Sequence, residues 1–137
     1  PFAPKDFARC VNATCPRSQN CLRRTAALQD TDEHLFLKVV NPLRYPKEGE
    51  ECELFRSTDK VRMAWGVTHL LDNVPYKEGS LLRNMIINHL GRSQYYRCFR
   101  KERPFAPQDQ QTIRMLFRQR GISEEPSFDY YTNEFNW

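Results

Sequence analysis

"SLLRNMIINHLGRSQYYRCFRKERPFAPQDQQTIRMLFRQRG", residues 80–121, carries the clearest structural signals in the chain. Its first third reads as a helix. Leu82, Met85, Ile86, His89 and Leu90 recur at helical spacing, Ser80 suits the N-cap and Gly91 the position just past the end. Its last third is the strongest helix of the sequence. Pro107 stands at the first position, Asp109 lies in the first turn, Arg118 and Arg120 lie in the last and Gly121 follows. Ile113, Leu116 and Phe117 form the inward face of that helix. Between the two, "SQYYRCFRKERPF" (93–105) is rich in aromatics and reads as a strand with a turn at Lys101-Glu102 and a short return. Alternation in such a strand puts Tyr96, Cys98 and Arg100 on one face and Tyr95, Arg97 and Phe99 on the other.

Working outward, "DKVRMAWGVTHLLDNV" (59–74) fits a helix through Val61, Ala64, Trp65, Thr68 and Leu71, ended by Pro75. Gly66 in its middle costs about 1 kcal/mol against Ala. "HLFLKVV" (34–40) is a short apolar run stopped by Asn41-Pro42 and predicts a buried strand. "NPLRYPKEGEE" (41–51) is a loop. "SQNCLRRTAALQ" (18–29) predicts a helix with Ser18 as N-cap and with Arg23 and Arg24 facing solvent. Residues 1–17 hold three prolines and no periodicity, an ordered cap in which Phe2 and Phe7 need burial. The tail "EEPSFDYYTNEFNW" is acidic and aromatic, and its rings are expected to dock on the rest of the chain.

The expected fold is therefore α+β: one mostly helical domain over residues 1–137 with a small antiparallel sheet and a cysteine-rich N-terminal loop. Residues 1–56 form its cysteine-bearing part. Residues 57–137 form the helical part with hairpin and aromatic tail.

At 137 residues, with 39% hydrophobic and 12% aromatic content, the chain is long and apolar enough for a real core. No apolar run approaches the roughly twenty residues that span a bilayer, and no signal-peptide core is visible. Pro1 in place of an initiator Met suggests that something upstream was removed. Five cysteines make an odd count, which fits a reducing compartment better than a secreted disulfide framework. The cytoplasm is the expected location.

"CVNATCPRSQNC" (10–21) sets three cysteines close together, and Cys52 follows in "EGEECELF" (48–55). Four sulfurs at about 2.3 Å satisfy tetrahedral Zn²⁺. Cys15-Pro16 is a turn-forming pair. Cys21 falls in the first turn of a helix, where thiolate is favoured. The Pro/Gly loop before Cys52 could fold that residue back. Cys10, Cys15, Cys21 and Cys52 are thus the candidate metal ligands. The spacing is C-x4-C-x5-C rather than paired C-x2-C, so free or core thiols rank close behind zinc. An Fe–S cluster ranks third, helped by the Cys-Pro pair. His34 could replace one cysteine as ligand. Cys98 reads as a small buried residue. Bound zinc would take the formal charge from +4 to about +2.

Residues 92–120 hold eight basic residues against Glu102 and Asp109, a net +6, whereas 121–137 carry −4. Gln111, Arg114 and Arg118 share the face of the last helix opposite its apolar side. With Arg97 and Arg100 they are candidate phosphate contacts, should the chain bind nucleic acid. A solvated face, or an acidic tail folded back on the arginines, ranks ahead of that reading. His69 and Asp72, three apart, suit a structural pair. No P-loop, GxGxxG, HExxH or GxSxG motif is present.

"CVNATCPRSQNCLRR", "GRSQYYRCFRKER" and "APQDQQTIRMLFRQRGI…FDYYTNEFNW" together resemble a family of small uncharacterised proteins from gut Bacteroidetes that carry a domain of unknown function. The resemblance spans nearly the whole chain and implies no activity, so no site residue is carried over from it. The function expected is an intracellular binding or interaction module with a structural four-cysteine zinc site and a protein partner, rather than an enzyme. A nucleic-acid-binding protein is the alternative, and a thiol or redox protein comes third.

Overall fold

The computed structural model describes residues 2–137. The fold is α+β. The described residues form α1 (Leu22–Gln29), β1 (Val61–Trp65), α2 (Tyr76–Leu90), α3 (Arg92–Phe99), α4 (Pro107–Gln119) and β2 (Tyr130–Glu134), with 3-10 turns at Ser18–Asn20 and Pro42–Arg44. The chain divides into two compact units. One is Pro1–Lys60 with Phe135–Trp137, and the other is Val61–Glu134.

The unit Val61–Glu134 holds the main core. β1 and β2 pair antiparallel, from Val61 opposite Glu134 to Trp65 opposite Tyr130. The Trp65 indole N–H donates to Thr132 Oγ1 at 2.7 Å, and its ring stacks on Tyr130. Leu82, Ile86 and Ile87 of α2, Tyr95 and Cys98 of α3, and Ile113 and Phe117 of α4 close around Ala64, Leu70, Phe105 and Phe128. Each large side chain buried here contributes about 1.5–3 kcal/mol. α4 starts at Pro107 and turns its Ile113–Phe117 face inward, as its pattern predicts.

In this unit three predicted elements differ. Residues 59–74 are not a helix: 61–65 form β1, and 67–74 run in successive turns. Gly66 is the reason. It adopts φ +80°, a left-handed conformation that stops a right-handed helix. The site also leaves no room for a Cβ, which would run into the Asp129 carboxylate. Residues 93–105 are not a hairpin: 92–99 form α3. Tyr95 and Cys98, three apart, are buried together, which a helix allows and alternation forbids. Phe105 still pairs with the sheet through reciprocal backbone bonds to Ala64 at 2.7 and 3.0 Å. α2 begins one turn before Ser80, at Tyr76 after Pro75, and Gly91 at φ +88° separates it from α3.

In the other unit α1 begins at Leu22. Cys21 takes the N-cap position, and Ser18 opens the 3-10 turn instead. Arg23 does not face solvent. Its guanidinium donates to the carbonyls of Leu54 (2.7 Å) and Ala8 (3.1 Å) and lies over the Phe7 ring. Residues 34–40 are not a buried strand. Leu35 and Phe36 are 89% and 80% exposed, and the one bridge here joins Val39 to Arg9. The Arg9 side chain gathers the carbonyls of Pro4, Lys5 and Phe7, which keeps that stretch looped and denies 34–40 an extended partner. Phe2 is 78% exposed, whereas Phe7 meets Trp137 edge-on at 5.3 Å. Among the described residues the buried apolar side chains of this unit are Cys21, Leu22, Ala26 and Val40.

Candidate metal centre

α1 fixes the first part of the site. With Cys21 as N-cap, the Leu22 N–H leaves the helix and donates to Arg56 O at 2.6 Å, while Thr58 N–H reaches Asn20 O at 3.1 Å. An antiparallel bridge between Cys21 and Ser57 completes this contact. The segment after Cys52 is thereby held against the start of α1. On the other side Cys10 N–H donates to Arg23 O at 3.0 Å, which fastens the N-terminal loop to α1. Ser18 N–H bonds Cys15 O, which closes the turn through Pro16.

The consequence is a single cavity lined by Cys10, Cys15, Cys21 and Cys52. It encloses ≈ 510 Å³, open solvent included. Cys21 is buried, the other three are half-buried, and all are free thiols. The sulfurs share the cavity without converging on one point: among the described residues no three Cys, His, Asp or Glu side chains are grouped closely enough to hold a metal ion. His34 is not in the lining. Spacing and periodicity carry no sign of the remaining wall, which includes Tyr45, Phe55 and the arginines 17, 23, 24 and 44. The Tyr45 hydroxyl is buried without a hydrogen-bond partner. Burial, and then the neighbouring Cys10, push its pKa up.

Cys98 lies elsewhere, fully buried beneath α3. Burial pushes its thiol pKa up. His89 turns to Asp109, at 3.3 Å. Burial outweighs the nearby Arg103 and Arg97, which act the other way, so Cys98 lacks the exposed, low-pKa thiol of an activated nucleophile. His69 and Asp72 pair at 2.7 Å on the surface.

The candidate phosphate contacts are mostly engaged. Arg114 meets Glu125 at 2.6 Å and Arg118 meets the same carboxylate at 3.6 Å. Arg100 pairs with Glu102 at 3.0 Å, and Arg97 approaches Gln94 at 3.5 Å. Arg97 and Arg100 follow the helical course of α3 and its end, so the expected strand and turn do not carry them. No helix among the described residues is long and apolar enough to cross a membrane.

Comparison with curated proteins finds no match, and comparison with solved structures finds none either. A family model does match, over residues 2–137, and the chain belongs to that family, described as a family of unknown function (DUF6078).

Proposed function

We propose that Cys10, Cys15, Cys21 and Cys52 bind one zinc ion as a structural tetrathiolate, and that the chain is a cytoplasmic binding module built on that centre. One observation carries the reading: four cysteines from three separate segments line one cavity, in the unit that has little other core. A loop-rich unit with so few buried apolar side chains needs a staple, and a metal supplies it by linking segments that hydrophobic burial cannot hold. Five free thiols fit a reducing compartment. Small rearrangements of the half-buried loops would bring the sulfurs together on the ion. Leu35, Phe36 and Leu43 stand exposed in the same unit, which supports a partner-binding role.

The test is elemental analysis of protein purified without chelator, with X-ray absorption at the metal edge. About one zinc per chain with sulfur ligands near ~2.3 Å is expected. Absence of metal, with five thiols titrating after unfolding, would sink the reading. Iron with a visible chromophore would redirect it to an Fe–S cluster.

A further inference from the structure

We infer that Arg17 and Arg24 are charge partners of the metal-bound thiolates, holding the anionic centre in its cavity. This rests on the tetrathiolate reading above. Four thiolates and a divalent ion leave a centre of charge about −2, and a half-buried anion is stable only beside compensating positive charge. The cavity wall has that charge, and of its four arginines only Arg44 meets a carboxylate. Arg17, Arg23, Arg24 and Arg44 line it, and no aspartate, glutamate or histidine does. Around neutral thiols alone, four guanidiniums would repel one another without gain.

Two of the four have other work. Arg23 is tied to the carbonyls of Leu54 and Ala8. Arg44 is paired with Glu53 at 2.6 Å and mostly exposed. Arg17 lies over the Phe55 ring at 3.4 Å, which fixes its head without using its N–H donors. Arg24 has no hydrogen-bond or ion-pair partner among the described residues, although it stands one turn into α1 behind Cys21. A guanidinium with free donors beside thiolates can give N–H···S bonds and lower their net charge.

The experiment uses the full chain loaded with zinc and a chromophoric chelator as competitor at fixed pH. Wild type is compared with Arg17→Gln, Arg24→Gln and Arg24→Lys. Outer-shell partners of a metal site are worth about 10–100-fold in affinity. Each Gln variant should therefore lose roughly 10-fold or more by that rule, and Arg24→Lys, which keeps the charge, should recover most of the loss. Iodoacetamide should also alkylate the zinc-bound thiolates faster in the Gln variants. Zinc affinity unchanged in both Gln variants overturns the inference. So does a loss that Arg24→Lys fails to recover, since that would assign the residue to shape. If one Gln variant fails to fold, the other decides. Wild type that takes up no zinc rejects the tetrathiolate reading itself, a result separate from any effect of the arginines.

Discussion

Arg9 shows how much one side chain can organise. It is only 3% exposed, yet it carries a full charge. Its donors reach the Asp30 carboxylate at 3.1 Å and the carbonyls of Pro4, Lys5 and Phe7 at 2.7–3.1 Å. Removing it would leave Asp30 and three carbonyls without their donor. Arg9→Met should cost on the order of 3 kcal/mol in chemical denaturation, and Arg9→Lys should recover little, because an ammonium cannot span the same fork. Asp129 is a second such residue. The Thr68 hydroxyl donates to it at 2.7 Å and Lys101 lies at 3.3 Å, and together they hold its carboxyl below the ordinary carboxylate range. A depressed folded pKa means that its contribution is present above the unfolded value and fades as pH falls through the folded one. Asp129→Asn should therefore lower the melting temperature at pH 7 and have less effect at an acid pH below the folded carboxyl's own range. Equal losses at both pH values would show that charge plays no part. Gly66→Ala should cost more than the roughly 1–2 kcal/mol of left-handed strain, because its Cβ would also displace the Asp129 side chain, with Cγ only 2.7 Å away.

At the scale of elements, α4 combines a buried apolar face with a charged one. Glu125, just past its end, spans Arg114 and Arg118. Such exposed pairs stabilise by about 0–1 kcal/mol, so their main effect is on the surface field. The expected outcome of a fluorescence titration with duplex DNA is no binding at micromolar protein in about 50 mM salt. Glu125→Gln should leave stability nearly unchanged while making the α4 face more positive. Salt-dependent binding by the unmodified chain, flattened by Arg114→Gln and Arg118→Gln, would restore the nucleic-acid reading. α3 teaches a related lesson. Its aromatics favour strand by propensity, but burial of Tyr95 and Cys98 against the core makes it helical. Tertiary packing outweighs propensity when the element is this short.

At the scale of the molecule, the last three residues return to the unit that holds the N-terminal segment. Trp137 packs edge-on with Phe7 and Phe135, and Arg56 donates to the Asn136 carbonyl at 2.9 Å. Phe128, by contrast, is buried in the core of the other unit beside Phe105. Deleting 135–137 should therefore destabilise the cysteine-bearing unit, with little effect on the Val61–Glu134 core. Deleting 126–137 should also remove β2 and the Phe128 ring, and lower the melting temperature of that core as well. Hydrogen exchange resolved by segment separates the two cases. Unchanged protection of α1 in the shorter deletion would mean that the terminal rings contribute nothing there.

The sequence by itself determined the α+β class, the two long helices α2 and α4, and the cysteines as the residues to watch. In each case the signal is local: a sustained apolar stripe, a proline start, a glycine stop, or an unusual cluster of one side chain. Tertiary structure alone decided the rest. Whether 61–65 is strand or helix depends on β2, some seventy residues away, and on the Gly66 turn beside Asp129. Whether Cys52 meets the N-terminal cysteines depends on backbone bonds from 56–58 to the start of α1. The arginines of the cavity wall look in sequence like ordinary surface charge. Their common placement comes from loop packing, which no periodicity records, because neither spacing nor propensity encodes contacts between segments distant along the chain.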